Sequence, residues 1–471
     1  MALCSKCMAF PFAAFAATFL ASSLSAADVL PPLDAQRLAR GIFQELIEIN
    51  TTDSAGSTTQ AAEAMARRLK AAGFASSDVQ VLVPPAAPQR GNLVARFRGD
   101  GEAAPILLLA HLDVVEARAE DWSVAPFQLL ERDGYFYGRG SSDDKSMASL
   151  WITTLIRLKQ EGFRPKRDII VALTAGEESG KDNGVEWLVA NHRKLLDAGL
   201  CLNEGGDGQL KNGKRLLNGV QAAEKIYVSF AVEVHNRGGH SSQPRKDNAI
   251  TQLAKALLRI SQFEFPVRLN PITREFFLRT ADTVEGELAT DMKALATQPS
   301  DPERDRRVAQ APYLNALMRT TCVPTQLQAG HAENALPQTA RAVVNCRMLP
   351  DDESGTILEM LRRVINDPEA QVTAIEEAKP SPPSPLGAEI IGAVERVTDS
   401  MWPGVPTMPL MSTGATDAVF LRRAGIPTYG VSGIFSDVDD NREHGKDERV
   451  GVKEFYEGEE FLYRLVKLLA R

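Results

Sequence analysis

The apolar run Ile169-Ile170-Val171-Ala172-Leu173 breaks off into Ala175-Gly176-Glu177-Glu178, and this junction restricts the fold more than any other stretch of the chain. A solid apolar run bounded by charge reads as a strand buried on both faces, and in open parallel sheets the reactive groups gather beyond the carboxyl ends of strands. Two more runs end alike. Ile106-Leu107-Leu108-Leu109 leads into Ala110-His111-Leu112-Asp113, and Gly199-Leu200-Cys201-Leu202 leads into Asn203-Glu204-Gly205-Gly206. Three strands therefore deliver His and carboxylates to one edge.

Around these strands, helical periodicity at 34–49, 58–72 and 146–160 alternates with strand texture at 79–83, 92–97 and 135–137, the pattern of a three-layer α/β domain. The texture changes near Lys225. Ile226, Val228, Phe230, Val232 and Val234 alternate with polar residues, as in a sheet with one wet face. Antiparallel texture continues to about 377, a stiff Lys379-Pro380-Ser381-Pro382-Pro383-Ser384-Pro385 connector follows, and α/β texture then resumes. With 471 residues, beyond the roughly 250–300 over which one core grows, the chain is expected to hold two domains. One is a catalytic α/β domain from 28–222 and 378–471; the other is a smaller α+β domain inserted at 223–377.

A formal net charge of -8 gives no electrostatic reason to bind nucleic acid or an anionic membrane. Residues 1–27 have a short positive start, an apolar stretch at 10–24 and small residues before Asp28, and predict a cleaved signal peptide with a secreted or periplasmic mature protein. Cys201, Cys322 and Cys346 then remain, too few for a disulfide framework although one bridge is open to them.

Of six His, His111 and His444 stand beside acids in loop context. A single such His is usually a structural hydrogen bond, but His111, Asp143, Glu178, Glu204 and His444 together form an imidazole and carboxylate set that suits zinc, manganese or cobalt.

The stretches His111-Leu112-Asp113, Gly138-Arg139-Gly140-Ser141-Ser142-Asp143-Asp144-Lys145, Glu177-Glu178, Glu204-Gly205-Gly206, Gly238-Gly239-His240-Ser241-Ser242 and His444-Gly445-Lys446-Asp447-Glu448 resemble, in order, the co-catalytic di-zinc hydrolases. That family includes carboxypeptidase G, carnosinase-like dipeptidases, aminoacylase and succinyl-diaminopimelate desuccinylase. The resemblance implies a zinc-exopeptidase-like αβα catalytic domain and a lid or dimerisation insert. It implies two Zn2+, with Mn2+ or Co2+ able to substitute: Asp143 bridges, His111 and Glu204 complete one site, Glu178 and His444 the other. Asp113 would fix the His111 tautomer, Glu177 would act as general base on a water acidified by the metals, and His240 would donate to the oxyanion. Arg347 and Asn334 resemble groups that hold a substrate carboxylate, and Thr413 and Gly414 line the pocket. The peptide between Asp143 and Asp144 is often cis in such proteins. Ser146, where relatives carry Gly, is a departure expected to have a small local effect.

The expected activity is that of a carboxypeptidase or dipeptidase cutting small peptides next to a free carboxylate, with an N-acyl-amino-acid deacylase as the alternative and a non-catalytic binding protein as a remote one. A serine hydrolase built on Ser241 or Ser242 is disfavoured, since neither sits in a strand-turn-helix elbow. A homodimer is expected first and a monomer with an enlarged lid second.

Overall fold

The computed structural model describes residues 29–471; the expected signal segment lies outside them. Ile169–Thr174 and Ile106–His111 are buried at every position and pair in parallel, and Leu200–Asn203 and Thr428–Gly430 extend the parallel core of a ten-stranded sheet. Asn92–Phe97 and Val79–Leu82 close one side antiparallel. Along Ile106–His111 alternate side chains enter different layers. Ile106, Leu108 and Ala110 join a core with the helices Leu33–Glu48, Lys145–Gln160 and Val452–Leu469, while Leu107 and Leu109 pack with Val185, Leu188 and Leu421 of Gly184–Leu196 and Ala418–Arg423. A sheet covered on both faces has nowhere to put polar side chains except beyond its strand ends, so the three junctions read from sequence come together there.

Trp151 lies fully buried on Lys145–Gln160 and donates from Nε1 to the Leu109 carbonyl over 2.9 Å. Trp151→Phe keeps a ring but loses that bond, and is expected to lower the unfolding free energy by about 1–2 kcal/mol with an unchanged urea m value.

A second, four-stranded antiparallel sheet runs in the order Thr321–Ala329, Thr339–Met348, Ile226–His235, Ala370–Ala374. The alternating Val228, Phe230, Val232 and Val234 meet Leu253 of Ala249–Gln262 and Leu361 of Ser354–Ile365 in a separate core. Cys322 and Cys346, opposed across two strands, form a disulfide, the one bridge that the composition left open. The charged stretch at 285–307 forms Glu287–Thr297 and Pro302–Val308, whose Met292, Leu295 and Val308 bury in the first core rather than against the second sheet. Phe276 and Phe277 of Pro271–Ala281 do the same, so part of the sequence between the two halves of the large sheet packs on that sheet.

The chain crosses between the sheets at 224–226 and again at about 378–384. One buried ion pair, Glu224 with Arg422 at 3.1 Å, serves both crossings. Glu224 accepts from Ser381 Oγ and from the backbone and hydroxyl of Thr416, and Arg422 donates to the Thr428 carbonyl and to Ser384 Oγ. Each charge is therefore saturated by hydrogen bonds, as a dry interior requires.

Candidate metal centre

Asp143 sits between two imidazoles. His111 Nε2 is 2.8 Å from its Oδ1 and His444 Nε2 is 3.0 Å from its Oδ2. On the His111 side, Glu204 Oε2 lies 3.6 Å from the same Nε2; on the His444 side, Glu178 Oε2 lies at 3.0 Å. The five side chains singled out in the sequence thus converge, with one oxygen of Asp143 toward each pair. Asp144 joins them: it stands within ligand reach of His111 and Glu204, and its carboxylate accepts from the His111 backbone N–H. The Asp143–Asp144 peptide is cis.

The turns that present these groups depend on glycine at two places. Gly176 has φ +78°, and a Cβ there would stand 2.6 Å from the Lys181 carbonyl; one on Gly206 would stand 2.2 Å from the Gly430 carbonyl. Any other residue would push Glu177 or Glu204 off its strand end. Asp113 meets His111 first through its backbone, with its carboxylate Oδ1 3.8 Å from the same Nδ1. His111 Nδ1 lies 2.9 Å from the main-chain carbonyl of Asp113, which fixes the ring, while the carboxylate accepts the backbone N–H groups of Glu177 and Glu178 at 3.2 and 3.1 Å. It anchors the turn that carries the acid pair.

Glu448 holds the opposite wall. Fully buried, it accepts through one oxygen from Arg139 Nη1 at 2.6 Å and Gly140 N–H at 3.0 Å, and through the other from the Ser142 N–H at 2.7 Å, the Ser142 hydroxyl and the Asp143 N–H. Arg139 also donates to the Gly445 carbonyl, so this pair fastens the Asp143 loop to the His444 loop. On the far side Asp417 accepts from Asn183 Nδ2 at 2.6 Å, behind the Glu177 turn.

The electrostatics are those of too many acids in a dry place. Burial first, then the charge of Asp143, pushes Glu178 up to about 7. Burial also lifts Glu177 and Asp144 well above the ordinary carboxylate range, with the Glu204 charge adding to both, and raises Glu204 itself. Burial works the same way on Asp143, but hydrogen bonds from His111 and His444 outweigh it and hold that carboxyl low. The hydrogen bond to Asp143 raises His444 to about 9 against the opposing effect of burial. Glu178 Oε1 is buried with no hydrogen-bond partner. Crowded carboxylates, an orphaned carboxylate oxygen and two imidazoles are a donor set that divalent cations fit, because positive charge relieves the repulsion and satisfies the free oxygen.

The residues expected from the second sheet form two groups. His240 and Asn334 are neighbours in a short ribbon, Gly239–His240 paired with Ala335–Leu336, where the Ser241 N–H donates to the Asn334 carbonyl and His240 Nδ1 accepts from the Ser242 hydroxyl. Arg347 lies over the Tyr227 ring at 4.7 Å. Among the described residues, no hydrogen bond or ion pair links His240, Asn334 or Arg347 to the cluster around Asp143. Thr413 and Gly414 are half-buried, and their neighbours Ser412 and Thr416 line the cavity beside the cluster.

Sequence reasoning gave no ligand role to Asp144, which it named only for the cis peptide, no separate role to Asp417 at the end of the pocket-lining loop, and no role to Arg139 or Glu448. The first was visible as the second acid of Asp143-Asp144, and Glu448 as the end of the His444 stretch. The partners of Glu448 are about 305 residues away along the chain, and no periodicity marks such a contact.

A sequence profile of peptidase family M20/M25/M40 matches residues 107–468. Human N-fatty-acyl-amino acid synthase/hydrolase PM20D1 is 29% identical over 381 residues, 78% of this chain and 74% of that protein. The probable carboxypeptidase S-like 2 of Dictyostelium discoideum is also 29% identical, over 80% of this chain and 74% of its own length. Among solved structures, the M20 family metallo-carboxypeptidase Sso-CP2 from Sulfolobus solfataricus shares the fold with a TM-score of 0.69 at 17% identity, covering 92% of this chain and 99% of that one. The profile alone covers most of the chain: the protein belongs to peptidase family M20/M25/M40 and is a hydrolase.

Proposed function

We propose that the protein is a di-metal exopeptidase that hydrolyses an amide next to a free carboxylate. The observation that carries this reading is Asp143 between His111 with Glu204 and His444 with Glu178, the arrangement of a carboxylate shared by two cation sites. Zinc is the metal we propose first. Bound divalent cations would polarise the amide carbonyl and lower the pKa of water beside them toward about 7. The chain's own residues do the rest. Glu177, held by its backbone bond to Asp113, takes the proton of the attacking water and passes it to the leaving amine. His240 donates to the oxyanion once the smaller sheet has closed, and Arg347 and Asn334 hold the carboxylate, Arg through its two-pronged fork.

A second reading, an N-acyl-amino-acid deacylase, is favoured by the similarity to the N-fatty-acyl-amino acid synthase/hydrolases. A homodimer belongs to the proposal as well: the edge strand Thr321–Ala329 exposes Val323 and Leu327, and unpaired strand edges invite a second chain. Export is supported by the Cys322–Cys346 bridge, since disulfides persist in oxidising compartments.

Treatment with a strong chelator is expected to abolish peptide hydrolysis, and added Zn2+ to restore it. Activity that survives a demonstrated loss of metal would refute the reading. The carboxylate requirement is checked separately: amidating the substrate's C-terminus should remove turnover, and equal rates on free and amidated peptides would sink it.

A further inference from the structure

Arg341 and Arg347 stand on the same strand, Thr339–Met348, on the face of the smaller sheet opposite its helices, and each is paired with a residue of Ile226–His235. Arg341 is paired with Glu233, and its Nε stands 3.7 Å from that carboxylate. Arg347 is paired with Tyr227 instead, and its guanidinium lies over the ring at 4.7 Å. Among the described residues Arg347 makes no hydrogen bond and no ion pair from its side chain. Burial lowers this guanidinium from its ordinary value, as befits a half-buried cation with no acid opposite.

The ring is itself held. Tyr227 Oη accepts from the Ser229 hydroxyl at 3.2 Å, and Ser229 Oγ accepts from Asn345 Nδ2 at 3.1 Å. Ser229 is buried and Asn345 is its partner across the two strands, so the chain of bonds is anchored in the sheet. An aromatic face attracts a cation without supplying the oxygens that a carboxylate sets against the N–H fork. The two arginines of this strand therefore differ in kind: Glu233 neutralises Arg341, while Tyr227 locates Arg347 and leaves its charge uncancelled.

We propose that Tyr227 is a positioning residue for Arg347: the ring holds the guanidinium in place without neutralising it and so reserves the fork for the substrate's carboxylate. The inference rests on the function proposed above, which gives that carboxylate to Arg347. Tyr227 acts through the arginine. Without the ring, a long side chain with many rotamers is released to water, and each binding event must order it again. The loss then falls on substrate affinity, because the chemistry at the metals does not depend on how often Arg347 is in place once the substrate is bound.

The test measures kcat and KM of the zinc-loaded full chain on the faster cleaved of a free dipeptide and an N-acetyl amino acid, both of which end in a carboxylate. Arg347→Ala is expected to raise KM by about a hundredfold, the loss of a charged fork. Tyr227→Leu should raise it by about tenfold with kcat within about twofold of the wild type, and Tyr227→Phe, which keeps the ring, should return KM to within about threefold. Tyr227 is 44% exposed, so the core of the sheet survives these changes, and urea denaturation of the same samples checks that it does. In the Arg347→Ala background, Tyr227→Leu should change KM by less than about twofold. An unchanged KM in Tyr227→Leu, a fall in kcat as large as the rise in KM, or a full tenfold effect added to that of Arg347→Ala overturns the proposal. If the expected ratios hold in protein that stays active after a demonstrated loss of metal, the positioning role stands and the di-metal reading falls. If hydrolysis requires both metal and a free carboxylate, and Arg347→Ala raises KM while Tyr227→Leu does not, the reading stands and this inference falls.

Discussion

Glu177→Gln is expected to lower kcat by about a thousandfold while leaving metal content and KM close to those of the wild type. The reasoning starts from position. Glu177 shares its turn with Glu178, and the two backbone N–H groups are held by the same Asp113 carboxylate, so the turn survives the substitution. Glu178 contacts His444 and belongs to the proposed ligand set; Glu177 does not. Burial, with the charge of Glu204 behind it, raises the Glu177 carboxyl well above its ordinary range; bound cations would oppose that rise and favour the ionised form that accepts a proton. Glutamine keeps the volume and one oxygen but has no basic site. Steady-state kinetics paired with metal analysis of the same preparation decides the matter, and near-normal kcat in a metal-replete sample would remove Glu177 from the proposed mechanism.

Glu448→Ala is expected to cost about 3–5 kcal/mol of stability and to weaken metal binding by about 10- to 100-fold. Removing this carboxylate strands the Arg139 guanidinium in a buried site and takes the acceptor from the N–H groups of Gly140, Ser142 and Asp143 together. Glu448→Gln separates the structural loss from the loss of alignment. Its single oxygen can serve Arg139 and Gly140 or Ser142 and Asp143, never both, so its amide NH2 must confront donors on the other side. Most of the fold should survive in that variant, as read by urea denaturation, while zinc affinity in a competition titration still falls. Unchanged zinc affinity in folded Glu448→Gln protein would show that the loop carrying Asp143 does not depend on this strut.

The layered sheet and the edge that gathers the site were legible because two-sided burial writes itself into sequence as unbroken apolar runs, and 106–110 and 169–173 are such runs. The alternation from Ile226 to Val234 announced the one-faced second sheet for the same reason. The second task of Asp113 was not legible from its position two residues after His111: its backbone meets the ring and its carboxylate stands 3.8 Å from the same nitrogen, but that carboxylate also holds the Glu177 loop. The helices of 271–318 were also hidden. Their charged surface matched the expectation of a lid, and only the tertiary placement of Phe276, Phe277, Met292 and Leu295 shows which core they complete.

The Glu224–Arg422 pair has a mechanical meaning for any swing of the smaller sheet. Two of the connections between the units, at 224–226 and 378–384, are clamped at one point, and the same clamp grips Thr416 beside the cavity; the passages on either side of 271–318 are further connections. Were the smaller sheet to swing, this clamp would keep Thr416 and the floor of the pocket with the large sheet, so that surface would hold its shape while the sheet above it moved.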